Sequence, residues 1–254
     1  MEKIYIKNRK NQKISVVLQK AENPVGLVFI MHGLGGSKNQ PIIEICAEVF
    51  LERNYNTIRF DATNTFGESD GNYENATTTN YYEDLEDVIN WVKSNDFYQE
   101  PFVLAGHSLG GIAVALYAEN HPEKVKAISL LSTVVSGELS LKNNPEAIME
   151  WQRTGWRISE RKSKPGTFKK IPWSHMEDRL KYNLLTQVRK ITMPTLLVAG
   201  ENDESTPVGH QKILYEALPS DKKFYVIKDA DHVFSKPKHL KEVKEILNNW
   251  INKI

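Results

Sequence analysis

Disulfide bonds cannot shape this chain, because it has one cysteine, Cys46, among 254 residues. A single thiol excludes an intrachain bridge, and nothing in the cysteine usage points to an oxidising compartment. Cys46 lies between Ile45 and Ala47, a setting that fits a buried helix position better than a reactive thiol. Net charge is almost missing too. The 33 Lys and Arg stand against 32 Asp and Glu, which leaves +1 and no overall electrostatic footprint for nucleic acid. Long hydrophobic runs are also lacking. No stretch approaches the ~18 apolar residues of a spanning helix, so stable membrane insertion is not expected. The opening MEKIYIKNRKNQK has no apolar segment of signal-peptide length. These absences lead to the expectation of a cytoplasmic protein.

Repeats, low-complexity segments and interdomain linkers are likewise absent. What is present is an ordinary globular composition, 40% hydrophobic and 26% charged. That length and composition fit one domain over residues 1–254, with a modest insertion. A core of this size needs neither disulfides nor a structural metal.

Short apolar runs alternate with longer helical patterns. Strands are expected at 14–18, 26–31, 57–60, 102–105, 125–131, 195–199 and 224–227. The runs GLVFIM and FVLA are continuous, as strands covered on both faces would be. Helices are expected at 41–53, 79–93, 109–120, 208–218 and 240–251. In the second of these Tyr82, Leu85, Val88, Ile89 and Val92 share one face. Strand–helix–strand repetition requires crossovers, and therefore a mostly parallel, doubly wound α/β sheet of about eight strands. Residues 136–189 break the rhythm with many charges, several aromatics and no buried strand. They read as a small helical cap insertion over one end of the sheet. From Lys142 to Lys170 there are eight basic and three acidic residues. That excess fits either a solvated surface or a lid that guides an anionic or polar substrate, with Arg153, Arg157 and Arg161 as candidates for the guiding charge.

The strongest local signal is Gly106-His107-Ser108-Leu109-Gly110, which follows a buried strand and opens a helix. A strand turning sharply into a helix strains the central residue, and the flanking glycines leave space where a Cβ would clash. Ser108 is then lifted above the sheet edge as a nucleophile, near the unpaired N–H groups of a helix N-terminus. A serine hydroxyl needs a base to take its proton. Among His121, His175, His210, His232 and His239, His232 is preferred, because its loop follows the last strand and lies at the same sheet edge. The third member must orient the imidazole and stabilise its charged form. Asp203, directly after the penultimate strand, is the candidate, with Glu201, Glu204, Asp229 and Asp231 as rivals. An oxyanion hole would use the backbone N–H of Leu109 and that of Leu34, in the glycine-rich loop after GLVFIM. His32 in that loop reads as an organising residue.

Together, HGLGG at 32–36, RFD at 59–61, GESDG at 67–71, GHSLGG at 106–111, GENDESTP at 200–207 and DADHVF at 229–234 resemble the α/β-hydrolase superfamily. More narrowly they are similar to its small serine carboxylesterases, including feruloyl and cinnamoyl esterases and monoacylglycerol-lipase-like enzymes. The resemblance covers about residues 14 to 252. It implies a Ser108–Asp203–His232 triad, an oxyanion hole at Leu34 and Leu109, an acyl-enzyme, and no metal or organic cofactor. It also implies a small-molecule ester substrate with a small or aromatic acyl group, in a pocket shaped by the insertion. Thioesters, amides or carbon–carbon bonds could be cleaved by the same residues, and a non-catalytic small-molecule receptor could share the fold. One departure stands out. The segment Asp61–Ser69 is one residue longer than in such relatives and lacks their first glycine, so Phe66 is expected to project differently near the entrance. Asp61 is expected to be structural. Monomer and homodimer both remain open.

Overall fold

Buried apolar runs set the frame of the computed structural model, which describes residues 1–161 and 165–254. In chain order the strands are β1 (Glu2–Lys7), β2 (Lys13–Gln19), β3 (Gly26–Met31), β4 (Tyr55–Phe60), β5 (Phe102–His107) and β6 (Val125–Leu131). A hairpin of β7 (Trp156–Glu160) and β8 (Phe168–Pro172) follows, then β9 (Thr195–Gly200) and β10 (Lys222–Ile227). Eight of them form one sheet in the order β1-β2-β4-β3-β5-β6-β9-β10. Strand β2 pairs antiparallel with β1 and β4. The pairs from β4 through β10 are parallel.

The helices are α1 (Pro41–Glu52), α2 (Thr78–Val92), α3 (Leu109–Asn120), α4 (Gly137–Lys142), α5 (Pro145–Thr154), α6 (Ser174–Arg179), α7 (Val208–Ala217) and α8 (Pro237–Ile251). The continuous runs are explained by the pleat, which points successive side chains to opposite faces. In β3, Leu27, Phe29 and Met31 pack with Leu85, Val88 and Ile112 of α2 and α3. Val28 and Ile30 pack on the other face with Ile43 and Phe50 of α1 and Leu247 of α8. Cys46 is fully buried in that second layer, and burial pushes its thiol pKa up to about 12. No helix among the described residues is long and apolar enough to cross a membrane.

Two features depart from the sequence expectation. Strand β1 adds an edge that the pattern does not announce, because Ile6 is its one buried residue. The segment between β6 and β9 also holds the β7–β8 hairpin besides helices α4, α5 and α6. All five residues of β7 are exposed, so no apolar alternation marks it. Lys162 and Lys164, counted in the basic stretch, lie outside the described residues.

Helix α3 also buries a carboxyl that no cation among the described residues neutralises at close range. Glu119 is 3% exposed, and its Oε1 has no hydrogen-bond partner. Burial pushes its pKa up to about 8, opposed only by more distant Lys190. The folded state therefore holds this proton more tightly than the unfolded chain does. The associated stability is complete below the ordinary carboxyl range and is lost as pH rises towards 8. Glu119→Gln is expected to raise stability at pH 8 by about 2 kcal/mol. It should have little effect at pH 5. Urea melts of both proteins at the two pH values check this.

Candidate active site

Four loops at the carboxyl ends of β3, β5, β9 and β10 bring the candidate residues together. Strand β5 ends at His107 and α3 begins at Leu109, so Ser108 must turn the chain within one residue. Its φ of 55° and ψ of −115° are sparsely populated for any residue with a Cβ. The tight turn works because Gly106 has no side chain, since a Cβ there would lie 2.5 Å from the Gly110 carbonyl oxygen. The turn is held by the Ser108 N–H donating to Leu131 of β6 at 3.0 Å. Ser108 is 8% exposed and lines a cavity.

The Ser108 Oγ lies 2.9 Å from His232 Nε2, and His232 Nδ1 lies 2.8 Å from Asp203 Oδ2. Asp203 is fixed from its other side. Its Oδ1 accepts from the Ser205 and Thr206 N–H groups at 2.8 and 2.9 Å, and Thr206 Oγ1 sits 2.8 Å from Oδ2. Burial alone would raise the Asp203 pKa. The hydrogen bond and charge of His232, with the Thr206 donors, outweigh burial and hold the carboxyl well below its usual range. An ionised Asp203 then keeps the proton of neutral His232 on Nδ1 and leaves Nε2 free to accept.

The rival acids are engaged differently. Glu201 accepts the Asp229 N–H, and Asp231 accepts the Ser235 N–H. Glu204 lines the cavity. Of the other histidines, His175 lies in α6 and His239 is buried in α8. Asp61 is fully buried and accepts from the Lys38 N–H at 2.7 Å, Lys38 Nζ at 2.6 Å and the Glu68 N–H at 2.8 Å. It ties the loop after β4 together and stands apart from Ser108. Phe66, in the lengthened part of that loop, stacks on Tyr73 with ring centroids 4.6 Å apart. Tyr73 in turn lines the cavity.

The backbone N–H groups of Leu34 and Leu109 have no acceptor among the described residues. Each belongs to a peptide unit whose carbonyl is heavily anchored. Gly33 O lies within hydrogen-bond distance of Gly36 N at 2.9 Å, His32 Nδ1 at 2.7 Å and Tyr81 Oη at 3.1 Å. Ser108 O accepts from Gly111 N, Val134 N and Ile112 N at 3.0, 3.1 and 3.3 Å. In a trans peptide the N–H points opposite to the C=O. Fixing these carbonyls therefore fixes the direction of both free donors, and that is what a preorganised anion site needs. His32 is locked in turn, because its Nε2 accepts the Ala62 N–H at 3.0 Å. Burial lowers its pKa, so it serves as a neutral brace.

Two supporting residues escaped the sequence reading. His107 Nε2–H donates to the His232 carbonyl at 2.8 Å. Burial first, and then the adjacent His232, push the His107 pKa down to about 3, so it braces the His232 loop as a neutral ring. Thr206 was legible in principle, because Asp203-Glu204-Ser205-Thr206 has the composition of a side-chain-capped turn. The loops carrying Asp203 and His232 also pack tightly at Gly200, where a Cβ would lie 2.5 Å from Ala230 O and 2.7 Å from Asp231 O. Gly200→Ala is expected to push them apart and lower kcat by about 10²-fold. Steady-state kinetics beside a thermal melt separate this from global unfolding.

The cavity has a volume of about 390 Å³ and runs from Ser108, His232 and Leu34 to Trp151, Arg157 and Arg179. A second, more open depression along α5 and the hairpin, lined by Glu150, Trp156 and Ile158, does not reach Ser108.

A family model for the alpha/beta hydrolase fold matches residues 26–168. This is more than half of the chain, and the chain belongs to that family. Among curated proteins it is 28% identical over 197 residues to the mouse mitochondrial palmitoyl-protein thioesterase ABHD10. That match covers 74% of this chain and 61% of the mouse protein, so the chain spans about three fifths of that relative's length. It is also 28% identical over 239 residues to an uncharacterized 31.7 kDa protein of Escherichia coli, covering 81% of this chain and 82% of that one. Among solved structures, Est1E from Butyrivibrio proteoclasticus with bound ferulic acid aligns with a TM-score of 0.82 at 23% identity, over 98% of both chains. The mouse alpha/beta hydrolase domain-containing protein 10 aligns with a TM-score of 0.80 at 22% identity, over 100% of this chain and 99% of that one. The two structural likenesses are likenesses of fold.

Proposed function

We propose that the protein is a serine hydrolase that cleaves carboxylic esters through an acyl-enzyme. The carrying observation is the continuous Ser108–His232–Asp203 hydrogen-bond chain, with its two distances of 2.9 and 2.8 Å. In the first step the Ser108 Oγ–C bond forms at the ester carbonyl while the Oγ proton passes to His232 Nε2. The oxyanion is held by the Leu34 and Leu109 N–H groups. His232 then returns the proton to the leaving oxygen as the ester C–O bond breaks. Water repeats the sequence on the acyl-enzyme and gives its proton to His232. Asp203 stays ionised and stabilises the imidazolium at each stage. The segment between β6 and β9 acts as a cap that closes the acyl or alcohol pocket.

Thioesters are a second reading, favoured by the similarity to the palmitoyl-protein thioesterase. The cavity argues against a long alkyl chain as the main ligand, because Ser140, Asn143, Asn144, Arg157 and Arg179 share its wall, and polar groups facing an alkyl chain lose their water. Matched butyrate esters and thioesters, assayed together with a fluorophosphonate probe, test both readings. Ester turnover with labelling at Ser108 supports the proposal. A clear thioester preference selects the second reading. No turnover and no label would leave the fold as a non-catalytic receptor.

A further inference from the structure

Charged groups withdrawn from water are ordinarily paired, yet in the cavity beside Ser108 neither Arg157 at its open side nor the partly buried Arg179 has an anionic partner among the described residues. The Arg157 guanidinium carbon lies 4.5 Å from the centre of the Trp151 ring. No carboxylate lies within ion-pair distance of Arg157 or Arg179 among the described residues, and Lys162, Ser163 and Lys164 carry none. Arg179 Nη2 donates to His175 Nε2 at 2.7 Å. His175 is able to accept because its Nδ1–H is committed to Ala76 O, also at 2.7 Å. The Arg179 partner is therefore a neutral ring, and Arg179 Nε is buried with no hydrogen-bond partner among the described residues. Asp178, next in sequence, is occupied by the Thr79 N–H, the Thr79 hydroxyl and Lys181. Glu204 lines the same cavity without reaching either guanidinium.

We propose that Arg157 and Arg179 form a carboxylate subsite, so that the preferred ester carries a second, anionic group. This rests on the ester-hydrolase reading of Ser108. Guanidinium forks match a carboxylate in two-pronged geometry, and the Trp151 face, itself braced edge-on by Trp173, holds the Arg157 fork in place. The mutual crowding is consistent with a missing anion. Burial first, and then the charge of Arg157, pull the Arg179 pKa down to about 10. The other cations suspected from sequence play different parts. Arg153 pairs with Glu150 at 2.7 Å on the surface, and Arg161 stacks on Phe66 at 3.9 Å.

Two substrate pairs locate the anion. Mono-p-nitrophenyl succinate against p-nitrophenyl butyrate places it on the acyl side. p-Carboxyphenyl acetate against p-(methoxycarbonyl)phenyl acetate places it on the leaving group. In one pair the wild type should favour the anionic ester in kcat/KM by about tenfold or more, and Arg157→Gln should abolish the preference. Arg157→Lys should restore part of it, and Arg153→Gln should keep it. Arg157 is the primary variant because it lies on an exposed strand, and Arg179→Gln is the second. Binding of succinamate against neutral succinamide, by calorimetry on the same proteins, does not depend on turnover. Tighter succinamate binding that vanishes in Arg157→Gln supports the subsite even if no ester is cleaved, a result that would defeat only the hydrolase reading. Equal treatment of charged and neutral compounds in every arm, or a preference that survives Arg157→Gln, overturns the proposal.

Discussion

Ser108→Ala should lower ester turnover by about 10⁴-fold or more while leaving the fold intact. The substitution removes one atom, Oγ, and keeps the Cβ that already tolerates a φ of 55°. Its hydrogen-bond partner is not stranded, because the His232 side chain keeps 22% exposure and can turn to water. The thermal midpoint should therefore move little. The oxyanion donors at Leu34 and Leu109 remain, so a small residual rate above background is also expected. Steady-state kinetics with p-nitrophenyl butyrate provide the check. A rate within about tenfold of wild type would assign the nucleophile elsewhere. Ser140 and Ser205 would then be the candidates to replace next, since both line the same cavity.

Asp203→Asn should cost about 10⁴-fold in kcat with little loss of stability, and the hydrogen bonds explain why. The Oδ1 position faces two N–H donors, from Ser205 and Thr206. An asparagine carbonyl must occupy it, which forces the amide NH₂ into the Oδ2 position. There it can donate to Thr206 Oγ1, whose own proton turns to Ser132 O at 2.9 Å. The same NH₂ also faces His232 Nδ1. That nitrogen must become the acceptor, the ring proton moves to Nε2, and the group beside Ser108 can no longer take a proton. The loss should appear in kcat at every pH where the enzyme is folded. A histidine NMR spectrum should show the ring proton moved from Nδ1 to Nε2. Near-normal kcat with an unchanged tautomer would remove Asp203 from the relay.

The sequence is legible where function sits next to a strong local pattern. Ser108, Asp203 and His232 each follow a strand, and β5 and β9 are fully buried apolar runs. Their loops can therefore be placed at one sheet edge from the sequence alone. Residues whose role depends on distant contacts were not legible. His107 acts on a residue 125 positions away, and Arg179 gains meaning only from the cavity that it shares with Arg157. Strands β1, β7 and β8 were missed for a different reason. They bury one residue, none and one, and an exposed strand has no reason to alternate. The basic stretch was visible as a count of charges, yet the count could not say that Arg153 is paired, Arg161 stacked and Arg157 left without an anion.

The sealed position of Cys46 has a practical consequence. Its thiol is wholly covered, and its raised pKa leaves almost no thiolate at neutral pH. Alkylating dyes and spin labels will find the native protein chemically silent. A pair of cysteines introduced on the exposed β7 strand and on the exposed edge strand β1 would then carry the whole signal, so the distance between hairpin and sheet can be followed during substrate binding without first removing the natural residue.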